Sequence, residues 1–241
     1  MPDDSSILEL EECFLNMSGN LLDMIIEFRM QSHNNGVGGG EFAAMCLFSG
    51  AINSEIGDVE IDDHLYEIKS NRSMIKSEKI INGIPSFQSI IHVLPSYLES
   101  IGMDVLLKDH PATSFNFTQK GLNFLSEKLG SEHVLNISLK LMPGLSDEET
   151  IIIKESVEMF SSGNTDSKTL INKLSYVAFK HYAELEKFEG MMVFSPSSRN
   201  VLYLDKDCDY EFFSENIDSL GGPTFSDSRS SIGFKIRASQ I

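Results

Sequence analysis

A short acidic segment with two stretches of alternating polarity constrains the fold of this chain more than any other part. Residues 57–61 alternate polar and apolar side chains, two turn-forming aspartates follow, and residues 64–69 alternate again. Because successive side chains of a strand point to opposite faces, Glu67 and Lys69 share one face and Tyr66 lies on the other. The segment therefore predicts a β-hairpin with an apolar face and a face that carries charged groups.

The residues around this hairpin predict helices and loops. Apolar positions over 7–30 are compatible with one or two helices broken near residues 18–20. The glycine-rich run 32–40 predicts a loop, and residues 41–48 predict a short helix. After the hairpin, residues 87–94 suggest a helix that continues past the next proline. The N-terminal half thus predicts a hairpin set among helices.

The second half of the chain also mixes helices and strands. Periodicity there predicts helices over 119–129, within 147–160 and within 168–188, and strands over 133–141, 191–195, 200–204 and 232–236. We divide the sequence into a core with its N-terminal helices (1–142) and a C-terminal α+β extension (143–241) that completes the sheet or recognises substrate. The fold class expected is α/β, with a mixed central sheet flanked by helices.

Composition bounds the class of protein. The chain has 241 residues, of which 41% are hydrophobic and 23% are charged, values that are typical of a globular enzyme or binding module. No stretch approaches the roughly 20 apolar residues of a membrane-spanning helix. The three cysteines are far apart and odd in number, which fits neither a disulfide framework nor a zinc site. We expect a cytoplasmic protein with reduced thiols and no membrane partner.

The hairpin carries the residues that a metal-dependent phosphodiesterase needs. Mg²⁺ prefers hard oxygen ligands, and the carboxylates of Asp58 and Glu67 with the backbone carbonyl of Ile68 can supply them. Lys69 projects from the same face of the strand as Glu67, so its ammonium can orient or help deprotonate an attacking water. These four residues are the candidate metal and catalytic site.

Gly57-Asp58 followed by Glu67-Ile68-Lys69-Ser70 resembles the motif of the PD-(D/E)xK nuclease superfamily, which includes restriction enzymes, Holliday-junction resolvases and phage nucleases. The resemblance covers residues 41 to 92 and implies a restriction-endonuclease-like core and Mg²⁺-dependent DNA endonuclease activity, with Mn²⁺ as a substitute. It further implies that Glu41 assists catalysis and the metal, and that Gln88 contacts substrate. The motif proline is replaced by Gly57, and His92 stands where one subgroup has tyrosine.

Three basic residues after the motif, Arg72, Lys76 and Lys79, are candidates for holding DNA phosphates. They stand in a chain whose net charge is −17, which opposes DNA binding because DNA affinity depends largely on phosphate contacts. We therefore expect DNA as the partner, with a homodimer or a larger protein assembly supplying affinity.

Other interpretations of the same residues stay open. Glu67 and Lys69 could form a solvated strand face with Asp58 as a turn residue. The chain could also retain a nuclease-like fold as a non-catalytic structural or interaction protein, for example in a phage particle or a regulatory complex. A third alternative is a restriction or repair enzyme that recognises a DNA sequence or a junction.

Overall fold

The computed structural model describes residues 4–9, 41, 44–46, 48, 50–53, 58–70, 74–77, 79–88, 90–109, 119–194, 200–219 and 233–238. They form two compact units, each assembled from separate segments. The described residues of 1–73, 186–218 and 237–241 form the first, here called the sheet unit. Those of 74–185 and 219–236 form the second, here called the helical unit.

A six-stranded mixed sheet organises the sheet unit. Its strands are β1 (Ser6–Glu9), β2 (Ile52–Asn53), β3 (Val59–Ile61), β4 (His64–Ser70), β8 (Gly190–Phe194) and β9 (Asn200–Asp205). Their order across the sheet is β1-β9-β8-β4-β3-β2. The pairing of β4 with β8 is parallel and the other pairings are antiparallel. The pairing of β4 with β8 therefore joins strands from the first third of the sequence to strands from its last quarter.

One face of this sheet carries an apolar core. Alternate residues of the four central strands point into it together with Ala44 from the helical segment before β2, and they are Val59, Ile61, Tyr66, Ile68, Met192, Phe194, Val201 and Tyr203. The rings of Tyr66 and Tyr203 lie 6.2 Å apart between centroids. A Cβ atom on Gly190 would overlap the ring of Tyr203, so glycine is required where that ring crosses β8. The predicted faces of the hairpin are confirmed.

The turn between β3 and β4 is as short as the sequence predicts. Asp62 and Asp63 have φ angles of 52° and 64°, so both occupy the left-handed region. A two-residue hairpin turn with positive φ at both positions matches the right-handed twist of the strands that it joins. Aspartate tolerates this conformation better than most residues, because its short polar side chain can bond to the local backbone.

This turn conformation gives the first prediction. Asp63→Val should lower the free energy of unfolding by about 1–2 kcal/mol, because a β-branched residue resists positive φ. Asp63→Gly removes the same carboxylate and keeps the conformation, so it should stay near the parent value. Urea denaturation of both variants measures the difference. Equal losses in the two variants would show that the carboxylate, and not the backbone, matters.

Six helices and three short strands supply most of the helical unit. The helices are α1 (Ile90–Ser100), α2 (Leu106–Asp109), α3 (Gln119–Leu129), α4 (Ser131–Leu141), α5 (Asp147–Ser161) and α6 (Ser167–Glu186), whose last residue belongs to the sheet unit. The strands β5 (Met74–Lys76), β6 (Ile80–Ile81) and β7 (Ile84–Pro85) precede them. Toward the C-terminus, α7 (Tyr210–Asn216) belongs to the sheet unit, while β10 (Ile217–Ser219) and β11 (Gly233–Ala238) have residues in both units. Strand β11 pairs with β5. No helix within these ranges is long and apolar enough to span a membrane.

Two predictions of secondary structure are wrong. Residues 133–141 form helix α4 and not a strand, since its buried residues Val134, Ile137, Ser138 and Leu141 follow helical spacing. The leucines and isoleucine between positions 135 and 141 alternate with polar residues and imitate a strand. The helix predicted over 7–30 is wrong at residues 7–9, which belong to strand β1 (Ser6–Glu9), and its remainder lies outside the described residues.

The other elements agree with the sequence. The helices near 87–98, 119–129, 147–160 and 168–188 and the strands of the two hairpins and near 232–236 are confirmed. The mixed α/β class is confirmed, while the restriction-endonuclease-like fold stays a prediction. The boundary between residues 142 and 143 also stays a prediction, although β8 and β9 from the predicted extension do complete the sheet.

A buried histidine lies in the helical unit. His181 of α6 is 2% exposed and its ring meets the edge of Phe87 at 5.6 Å between centroids. Its Nδ1 lies 3.8 Å from the carboxylate of Glu149, which also accepts a hydrogen bond from the N–H of Ser146 in the capping box of α5. Burial lowers the pKa of His181, and Glu149 and Glu184 oppose that shift only in part. The imidazole is therefore neutral in the folded chain near pH 7.

Acid sensitivity follows from the lowered pKa. The folded chain binds this proton less readily than the unfolded chain, whose histidine pKa is about 6.5, so stability is retained above that pH and falls as the pH drops below it. As the pH drops below about 6.5, wild type should lose stability more steeply than His181→Gln. Urea midpoints against pH test this, and an unchanged slope in His181→Gln would contradict it.

Candidate active site

Asp58 lies at the open end of the hairpin, directly before β3. Its N–H donates to the carbonyl of Tyr66 at 3.3 Å, and its Oδ2 accepts from the N–H of Ile68 at 2.8 Å. Val59 pairs with Tyr66, so Asp58 lies across from Glu67, one position further along the ladder. The carboxylate is thus fixed to the neighbouring strand by a backbone hydrogen bond and is not a free turn residue.

Two further charged side chains meet this carboxylate. Lys69 Nζ contacts Oε1 of Glu67 and lies 3.5 Å from Oδ2 of Asp58. Both residues on β4 project from the face opposite the apolar core, as the alternation predicts. The two carboxylates and the ammonium therefore converge on one point of the sheet.

This cluster is largely removed from water. Glu67 is 5% exposed, and the side chains of Lys69 and Asp58 are 18% and 25% exposed. In the adjacent strand β8, Glu67 pairs with Met191 and Lys69 with Val193, and both apolar residues are fully buried. These exposures are incompatible with the alternative of a solvated strand face. Charges in such surroundings interact more strongly than on a surface.

Burial and ion pairing act on Lys69 in opposite directions. Burial alone would lower the pKa of its ammonium, but the carboxylates of Glu67 and Asp58 outweigh burial and raise the pKa above its ordinary value. Lys69 is therefore protonated at neutral pH. It acts as a hydrogen-bond donor and a positive charge rather than as a base while both carboxylates face it.

Four of the five remaining predicted site residues have a described place in the fold. Glu41 is helical and half-buried in the sheet unit. In the helical unit Lys79 is exposed, Gln88 is half-buried, and Lys76 lies in β5 with its side chain outside the described part. Arg72 lies outside the described residues. The roles predicted for these five residues stay predictions.

The metal ligands also stay a prediction. Within the part of the chain that is described, no group of three or more histidine, cysteine, aspartate or glutamate side chains could hold a metal ion. The pair of Asp58 and Glu67 supplies two carboxylates of the kind that Mg²⁺ binds, and the carbonyl of Ile68 was the third expected ligand. The sequence did not predict the bond from the Ile68 N–H to Asp58, which extending the hairpin register by one residue would have suggested.

Comparisons of the chain with known protein families, with curated proteins and with solved structures find no match.

The buried cluster gives a prediction about stability. Lys69→Met should lower the free energy of unfolding by about 3 kcal/mol, because two carboxylates lose the cation that faces them in an apolar setting. The double variant Glu67→Leu with Lys69→Met should recover most of that loss, since a buried ion pair is often no more stable than apolar residues of similar volume. Urea denaturation of the three proteins measures both steps.

Lys206→Met is the matched control. Lys206 pairs with Glu189 at 2.6 Å, but both side chains are about 40% exposed. Loss of that pair should cost at most about 1 kcal/mol. If the double variant were as unstable as Lys69→Met, the charged side chains would stabilise the fold better than apolar residues do. A catalytic role would then not be needed to explain their presence.

Proposed function

We propose that this chain is a Mg²⁺-dependent DNA endonuclease of the PD-(D/E)xK type, and that Asp58, Glu67 and Lys69 form its active site. The observation that carries the proposal is the convergence of two carboxylates and one ammonium on a buried face of a central strand. Such a grouping is often no more favourable for stability than apolar residues of similar volume. A catalytic role gives a reason for its presence.

The chemistry of the donor set fits a divalent cation. Asp58 and Glu67 offer hard oxygen atoms from two strands, and a bound Mg²⁺ would activate water and neutralise charge that develops on the scissile phosphate. The hydrogen bond from Ile68 holds one oxygen of Asp58 and leaves the other for a ligand. Lys69, charged and close to both carboxylates, would orient the attacking water and stabilise the phosphate oxygens by donating hydrogen bonds.

Substrate binding has to overcome the acidity of the chain. With 36 acidic residues against 19 lysines and arginines, long-range electrostatics repel DNA. Contacts to phosphate from Arg72, Lys76, Lys79 and Gln88 would have to act locally, with Glu41 assisting the metal. We propose that a homodimer or a partner protein increases the affinity, since the chain alone supplies few cations.

Cleavage of labelled duplex, single-stranded and branched DNA with Mg²⁺ or Mn²⁺ tests the proposal. Wild type should cut at least one of the three DNA forms, and EDTA should abolish cutting. Asp58→Asn and Lys69→Met should each lower the rate at least about 100-fold, because each removes a group that acts on the metal or on developing charge. Asparagine can still accept the Ile68 hydrogen bond, so a loss in that variant reports charge rather than folding.

Matched substitutions separate charge at the site from charge in general. Asp63→Asn changes an exposed aspartate of the same hairpin, and Lys206→Met removes a lysine of the sheet unit whose side chain is 41% exposed. Both should cut at the wild-type rate. A folded wild type that cuts none of the DNA forms, alone or with added partner proteins, would favour the alternative of a nuclease-like structural or interaction protein.

A further inference from the structure

A polar groove lies between two helices of the helical unit. The groove is lined by polar side chains from α1 and from the turn before it, by one lysine of α4 and by the buried ring of Tyr97. The polar residues are Gln88 in the turn, His92, Ser96 and Ser100 on α1, and Lys140 on α4. The volume of the groove is about 210 Å³. We call this feature the donor groove, because each of these six side chains carries an N–H or O–H group.

Sequence spacing builds one wall of the donor groove. His92, Ser96 and Ser100 are four residues apart on α1, so they form one stripe along the helix, and Gln88 continues the same spacing before the helix begins. The opposite stripe of α1 is apolar, with Ile90, Leu94 and Leu98 buried. The polar stripe is therefore the face that α1 turns away from the core.

Hydrogen bonds between the helices hold the groove in shape. Tyr97 Oη lies 2.7 Å from His133 Nδ1 and accepts from Asn136 Nδ2 at 3.3 Å. His133 and Asn136 are three residues apart on α4 and lie seven and four residues before Lys140, so all three share one face of the helix. The N–H of Gln88 donates to the carbonyl of Leu141 at 2.8 Å. These hydrogen bonds connect α1 and the residues before it to α4. They use neither the ammonium group of Lys140 nor the side-chain amide of Gln88.

The lining chemistry selects an anion. No carboxylate is among the described residues that line the groove, although acidic residues outnumber basic ones by 36 to 19 in the chain. Lysine, serine, glutamine and tyrosine are among the side chains that donate hydrogen bonds to phosphate oxygens in nucleic-acid complexes. The groove is smaller than the roughly 300–1,000 Å³ of sites that enclose a whole small molecule. It therefore suits one anionic group and not a complete ligand.

We propose that the donor groove binds a phosphate group, with Lys140 supplying the charge and Ser96 and Gln88 supplying hydrogen bonds. The hydroxyl of Ser100 already donates to the carbonyl of Tyr97 at 2.6 Å and shapes the groove instead. A tetrahedral phosphate offers acceptors in several directions and uses more of these donors than a planar carboxylate can. The phosphate belongs either to a nucleic-acid backbone or to a free anion. This proposal does not depend on cleavage at Asp58, Glu67 and Lys69.

Titrations of the full chain in EDTA test the groove without any metal-dependent reaction. Inorganic phosphate and a short DNA duplex are the two probes, and the NMR shifts of the His92 ring report binding. Either probe should give a saturable shift, and Lys140→Met should weaken that binding at least about 10-fold, as expected for loss of a charged hydrogen bond. Ser96→Ala, which removes one donor without changing charge, should weaken it several-fold.

Lys154→Met is the matched control, because Lys154 is an exposed lysine of α5 outside the groove. Binding in this variant should stay within about two-fold of wild type. A shift with duplex alone assigns the groove to the nucleic-acid backbone, and a shift with both probes assigns it to any accessible phosphate. No saturable shift with either probe, or binding that both groove substitutions leave unchanged, would overturn the proposal. Because EDTA prevents metal-dependent cleavage, that failure would leave the endonuclease proposal intact.

Discussion

The parallel pairing of β4 with β8 is the constraint on which the sheet unit depends. It brings a hairpin from the first third of the sequence beside strands from the last quarter, with Glu67 next to Met191 and Lys69 next to Val193. Both neighbours are fully buried, so the charges of β4 have little water to solvate them. They must instead neutralise one another, and the contacts of Lys69 with Glu67 and Asp58 achieve that.

The same hairpin explains why the cluster has a defined geometry. Asp62 and Asp63 set a two-residue turn, the turn sets the register, and the register puts Asp58 across from Glu67. The hydrogen bond from the N–H of Ile68 then fixes the carboxylate of Asp58. Each step is local in sequence. A site built in this way is preorganised, since little chain entropy remains to be lost when a ligand binds.

Locality also decides what the sequence could predict. The hairpin, its faces and the grouping of Asp58, Glu67 and Lys69 follow from alternation within a dozen residues. The alternating apolar residues of 133–141 fit the period of a strand as well as that of a helix, and only the packing of Val134, Ile137 and Leu141 decides for a helix. The joining of β1 and β9, about 190 residues apart, has no local signal. The donor groove was missed for the same reason, because its two walls come from different helices.

Net charge is a weak guide to what such a chain binds. At physiological ionic strength, exposed charges farther apart than about 8 Å are largely screened from one another, so a ligand responds to the groups beside it. Around Lys69 these groups are two carboxylates, a setting for cations. Around Lys140 they are hydroxyl, amide and imidazole groups, a setting for anions. One acidic chain can therefore present carboxylates suited to a cation in its sheet unit and hydrogen-bond donors suited to an anion in its helical unit.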